Sequence, residues 1–165
     1  MEPIFKTSDT KPTVVEHLFT VTSVNEEKFI FCPIRERAYS VSRKPEEVVR
    51  QSWLYTLRDV YGYKWEQISV EVPVIVGSTE AKKAADIVVY TDSKKNTPRI
   101  FIEVKRPKRI DGLEQLKVYM NATGCRLGVW SNGSESNVYL LRLEPNSHSE
   151  NVEWRELRNI PSRTE

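Results

Sequence analysis

Glu103 and Lys105 stand two residues apart in the run IFIEVKRPKR, Ile100 to Arg109. On a strand, residues two apart project from the same face, so a carboxylate and an ammonium are aimed together while Ile100, Ile102 and Val104 point the other way. Asp86 lies at the start of the preceding run ADIVVY, Ala85 to Tyr90. If the two runs pair as neighbouring strands, Asp86 can face Glu103 and Lys105. Two carboxylates would then hold a hard divalent cation, and the lysine would orient or deprotonate water. This is the equipment of metal-assisted phosphodiester hydrolysis. Spacing alone favours a plainer reading, a solvated strand face with a weak surface ion pair. Against it, Val88, Val89, Ile100, Phe101 and Ile102 make both runs apolar on both faces, as in the buried middle of a sheet. There a charge is costly unless it is paired or bound to metal.

The elements that must position these residues can be read from the flanking sequence. Arg43, Lys44 and Pro45 introduce a helix: Pro45 suits its first turn, Glu46 and Glu47 favour its N-terminal dipole, and Val49, Trp53, Leu57 and Val60 form an apolar stripe ending before Gly62. Glu46, three residues before Val49 and seven before Trp53, continues the stripe, whereas Glu47 lies with Arg50, Leu54 and Arg58 on an adjacent face. This phase favours Glu46 as a third inward carboxylate, although both glutamates could simply complement the dipole. The segment Ile68 to Val76 reads as a strand whose Pro73 argues for an edge or a bulge. TDSKKNTP reads as a hairpin connection between the ADIVVY and IFIEVK strands. Asp111 can cap a helix from Gly112 to about Thr123, closed by Gly124. On that helix Gln115 and Tyr119 share a face, where they could bond a phosphate, steady Lys105, or make a structural contact. Strands follow at Arg126 to Trp130 and Val138 to Leu143, around a turn at Ser131 to Gly133. Earlier, His17 to Val24 and Lys28 to Ile34 suggest a hairpin turning at Asn25 to Glu27. Residues 1–12 read as a flexible lead-in and 13–165 as a single domain. The element order gives an α/β fold with a mixed central sheet flanked by helices.

The 165 residues, 39% hydrophobic and 29% charged, suit one ordinary globular domain. No run approaches the length of a membrane span, and the N-terminal residues lack the apolar stretch of a signal peptide, so a cytoplasmic protein is expected. Cys32 and Cys125 are far apart and match no disulfide or zinc pattern, which suggests two reduced, semi-buried thiols. The net charge is only +2. Its distribution is more informative, because Lys82, Lys83, Lys94, Lys95, Arg99, Lys105, Arg106, Lys108 and Arg109 occupy segments flanking the candidate site, while Glu150, Glu153 and Glu156 gather near the C-terminus. A local basic surface could contact phosphates. Solvated loop lysines explain Lys94 and Lys95 equally well.

Across CPIRERAYSVSRKPEEVVRQ, ISVEVPV, ADIVVY, IFIEVKRP and EQLKVYMNATGCRLGVWSNG, the chain resembles the PD-(D/E)XK nuclease superfamily. Within it, the sequence is similar to the N-terminal nuclease domain of type I restriction enzyme R subunits. The resemblance covers most of residues 30 to 145. It implies a restriction-endonuclease-like fold and a metal site formed by Asp86, Glu103 and the backbone carbonyl of Val104, with Lys105 as the catalytic lysine. It further implies that Glu46 is the helix acid, that Gln115 and Tyr119 form a QxxxY motif, and that Mg²⁺, or Mn²⁺ as substitute, is the cofactor. DNA is the implied substrate, and helicase or translocase domains and methylation or specificity subunits are implied partners. Ala85 stands where the superfamily name has proline, a position that supplies no ligand. No P-loop of the GxxxxGK[ST] type occurs. Competing readings are a non-catalytic DNA-binding or assembly module on the same fold, and a RecB-like exonuclease.

Overall fold

The computed structural model describes residues 21–80, 84–133, 137–147 and 149–165. The lead-in at 1–12 and the lysines Lys82 and Lys83 lie outside these residues. Strands β1 (Val21–Val24), β2 (Glu27–Cys32) and β3 (Arg37–Ser40) form a small antiparallel sheet. Asn25 and Glu26 join the first two with φ of 48° and 67°, left-handed conformations that suit a two-residue hairpin turn. Helix α1 spans Glu46–Asp59. After it come β4 (Ile68–Val72), a short hairpin of β5 (Ile75–Val76) and β6 (Thr79–Glu80), then β7 (Ala85–Tyr90) and β8 (Pro98–Val104). Helix α2 (Leu113–Thr123) leads to β9 (Leu127–Ser131), β10 (Val138–Leu143) and β11 (Glu153–Leu157).

The central sheet runs β11-β10-β9-β8-β7-β4. It is mixed: β8 and β9 are parallel, with α2 as the crossover, and the other neighbours are antiparallel. The α/β architecture is the one expected from the sequence. Alternation along the strands builds two cores. Ile87, Val89, Ile100 and Ile102 face α1 (Val49, Trp53, Leu54, Leu57) together with Ile30 and Tyr39 of the small sheet. Val88, Phe101 and Trp130 face α2 through Leu116, Tyr119 and Met120. The second helix seats closely because β9 presents Gly128, where a Cβ would come 2.4 Å from the Met120 sulfur. No described helix is long and apolar enough to cross a membrane.

Several expectations need correcting. The apolar stripe of α1 stops at Leu57, and Val60 is exposed. The strand expected over Ile68 to Val76 ends at Val72: β4 is an edge of the central sheet, Pro73 follows it, and Ile75–Val76 pair with β6 instead. Strands β3 and β11 had no counterpart in the sequence reading. Asp111 does not cap α2: the cap position is Gly112, with φ of 103° and no side-chain cap bond, and Asp111 pairs with Arg109 at 2.6 Å. Gly124 does close α2 in the left-handed conformation. Cys32 and Cys125 are fully buried, and burial pushes the Cys125 thiol up to about 11.

Candidate functional site

The β7–β8 register pairs Ile87 with Ile102. Asp86 and Glu103, one step further along each strand, therefore share the end of the sheet where β7 begins and β8 finishes. The backbone N–H of Val104 donates to Asp86 Oδ2 at 2.8 Å. Glu103 is 2% exposed, and its Oε1 accepts a bond from Lys105 Nζ at 2.5 Å. Its other oxygen, Oε2, is buried and has no partner. Burial, reinforced by the charge of Asp86 and opposed by Lys105, pushes the Glu103 carboxyl up to about 7.

Two devices hold Lys105 in place. Its backbone N–H extends the parallel ladder to Ser131 O at 2.8 Å. Its side chain crosses Gly112, where a Cβ would lie 2.4 Å from Lys105 Cε. A side chain at Gly112 would evict the lysine, and a φ of 103° independently demands glycine. The loop between Lys105 and α2 is tied down from β9 and the turn after it. Trp130 Nε1 donates to Asp111 O, and Asn132 Nδ2 to Arg109 O, each at 2.8 Å. Arg106, Lys108 and Arg109 are exposed on this loop. On α2, Gln115 donates to the hydroxyl of Tyr119, whose ring is buried against Phe101.

The opposite wall comes from α1 and β4. Glu47 is completely buried and accepts from Arg50 Nη1 at 2.5 Å and from Gln51 Nε2 at 3.3 Å. Burial raises its pKa, with Arg50 opposing. Arg50, 5% exposed, also donates to Asp86 Oδ1 at 2.7 Å and approaches Glu71 Oε1 at 3.5 Å. Glu71 has φ of 50°, an uncommon conformation for a residue other than glycine. The pairs Val70↔Ile87 and Val72↔Ala85 put it opposite Asp86. Arg35, beyond β2, binds Glu71 Oε2 at 2.9 Å.

Glu46, Arg50, Glu71, Asp86, Glu103, Val104, Lys105 and Gln115 line one open cavity of about 520 Å³, with Arg43, Arg106 and Arg109 also on its walls. The structure thus gathers most of the residues expected at the site. Lys108 is exposed with φ of 70° and does not line this cavity. Lys94, Lys95 and Arg99 belong to the opposite end of the β7–β8 hairpin, where Lys95 Nζ donates to Ile68 O and Arg99 to Ser162 O. They are not part of the rim.

The helix phase also needs correction. Glu47, and not Glu46, is the inward acid: Glu46 is half-buried at the cavity wall, while Glu47 is sealed beneath it. The sequence places Arg50 on the helix face of Glu47 but gives neither Arg50 nor Glu71 a position at the site. Glu71, a lone acid within the apolar run ISVEVPV, carried the same signal that drew attention to Glu103.

An oxygen-preferring cation fits the donors present. Asp86 and Glu103 offer hard oxygen ligands, and the buried, unpartnered Glu103 Oε2 lacks a positive group. Among the described residues no cluster of three or more His, Cys, Asp or Glu side chains is arranged for a metal, so water would complete the coordination.

The family described as "Type I restriction enzyme R protein N terminus" matches residues 45–161, most of the chain, and the chain belongs to that family. No curated protein and no solved structure matches it.

Proposed function

We propose, from the premise of an R-protein N-terminal domain, that the chain is a divalent-metal-dependent deoxyribonuclease of the PD-(D/E)XK type. It cleaves DNA internally, within a restriction complex whose translocase, methylation and specificity functions reside elsewhere. The observation that carries this reading is the buried Glu103 oxygen without a partner, between Asp86 and Lys105 on the floor of an open cavity.

Asp86, Glu103 and the Val104 carbonyl would hold Mg²⁺, or Mn²⁺ in its place. When bound, the cation supplies Lewis acidity at the scissile phosphate and a lowered pKa for water. Lys105, fixed across Gly112, orients the attacking water and stabilises charge developing on the phosphate. Glu47 anchors Arg50, whose guanidinium neutralises Asp86 while no cation is bound. Gln115, braced by Tyr119, faces the cavity where it can donate to a phosphate oxygen. Arg106, Lys108 and Arg109 supply sequence-independent contacts to the DNA backbone.

Calorimetry with Mn²⁺ tests the site. Weak binding is expected in the wild type and none in the Asp86→Ala, Glu103→Ala double variant. Equal binding in the two proteins would remove these carboxylates from the proposal. Cleavage of covalently closed circular DNA separates the endonuclease from an exonuclease acting on ends.

A further inference from the structure

Arg50 occupies the place of a positive charge that the acids around it require. Its guanidinium touches Glu47 at 2.5 Å and Asp86 at 2.7 Å, and it reaches Glu71 at 3.5 Å, while remaining 5% exposed. We infer that Arg50 is an internal stand-in for the divalent cation: it neutralises the metal-free site, and cation binding requires its guanidinium to leave Asp86. This inference rests on the metal-dependent reading above.

Three features of the geometry support it. Asp86 has two oxygens, and both are engaged, Oδ2 by the Val104 N–H at 2.8 Å and Oδ1 by Arg50. The first comes from the β8 backbone and stays; a cation competing for Asp86 meets Arg50 at the second. Two positive groups on one carboxylate oxygen repel strongly, and a half-buried site screens them poorly. Next, Arg50 Nε is buried without a partner, so the guanidinium is not locked by a full set of bonds. Lastly, Glu71 already stands within 3.5 Å of Arg50 Nη1, a long contact with room to shorten. It offers the displaced guanidinium a second carboxylate. Arg50 thus has two seats, Asp86 without metal and Glu71 with it, and its occupancy of the first weakens cation affinity.

Arg50 is a positioning residue on this account, and the sign of its effect separates that role from a purely structural one. Loss of a structural support would loosen Asp86 and weaken cation binding. Loss of a competitor strengthens it, because Val104 still holds Asp86 Oδ2. The test is calorimetric titration of Mn²⁺ into wild type, Arg50→Met and Arg50→Lys at one pH and ionic strength. Arg50→Met should bind at least tenfold more tightly than wild type, and Arg50→Lys, which restores the positive charge, should return to within about threefold of it. Unchanged or weaker binding by Arg50→Met, with wild type binding normally, overturns the inference alone. Wild type that binds no Mn²⁺ overturns the proposed function and this inference with it. Should Arg50→Met fail to fold, a crystal structure of the wild type with Mn²⁺ decides: Arg50 is expected beyond hydrogen-bonding distance of Asp86, and a retained bond there overturns the inference.

Discussion

Glu103 concentrates the cost of the site in one side chain. A carboxyl that titrates near 7 in the folded protein and near 4.3 in the unfolded chain holds more protons when folded throughout that interval. Its contribution to stability is therefore largest at acid pH and is lost as pH rises through the folded value. Cation binding has the opposite slope, because the ligand must be deprotonated. Mn²⁺ affinity should accordingly rise between about pH 5.5 and 7.5 and flatten above, as read by calorimetry across pH. A flat profile would take Glu103 out of the ligand set. Lys105 invites a different test, since its proposed role is toward the reacting water and not as a metal ligand, even though its Nζ bonds Glu103 Oε1. Lys105→Met should lose cleavage by about a hundredfold or more while Mn²⁺ and DNA affinities change little. A matched loss of DNA affinity would make Lys105 a phosphate anchor instead. At this scale the sequence was legible: a period of two put Glu103 and Lys105 on one face, and a hairpin register was enough to bring Asp86 opposite.

Helix α1 marks where that legibility ended. A stripe reading assumes one buried face, yet the helix buries Glu47, Val49, Arg50, Gln51, Trp53, Leu54 and Leu57, because the small β1–β3 sheet covers a second side. Under two covers the apolar stripe no longer gives the phase of a polar residue at its end, and Glu47 went inward with Arg50. Glu47→Gln should cost about 1–3 kcal/mol in urea unfolding, and Glu46→Gln less than about 0.5 kcal/mol. The reverse ranking would contradict the helix phase described here. The start of α2 failed for a related reason. Capping rules are local, whereas Asp111 is placed by bonds from Trp130 to its own carbonyl and from Asn132 to that of Arg109. Gly112→Ala brings a Cβ to 2.4 Å from Lys105 Cε, so the variant should lose cleavage while keeping Mn²⁺ affinity. Cleavage at the wild-type rate would show that Lys105 does not need this seat.

Across the whole molecule, the α/β order could be read from the elements that carry their own period, which β3 and β11 do not, whereas the joining of the small sheet to the site could not be read. That joining runs through Arg35 and Glu71 and through Ile30 and Tyr39 in the core, contacts between residues distant in sequence. Charge has a similar geometry. Arg43, Arg106 and Arg109 line the cavity and Lys108 stands exposed on the adjoining loop, while Lys94, Lys95 and Arg99 are carried to the far end of the hairpin. Contacts to DNA would thus be few and made to phosphates. Fluorescence anisotropy on unrelated duplexes should give weak, similar affinities that fall with log salt at a slope of about 0.9 per phosphate neutralised. One duplex bound a hundredfold tighter than the others at physiological salt would show that the domain reads sequence. The central claim, metal-dependent cleavage by Asp86, Glu103 and Lys105, is met most directly by incubating supercoiled plasmid with the protein and Mg²⁺ or Mn²⁺. Wild type should yield nicked and linear DNA, with cleavage abolished by chelator and by Asp86→Asn or Lys105→Met; an intact plasmid with wild type, or equal cleavage by the variants, would contradict it.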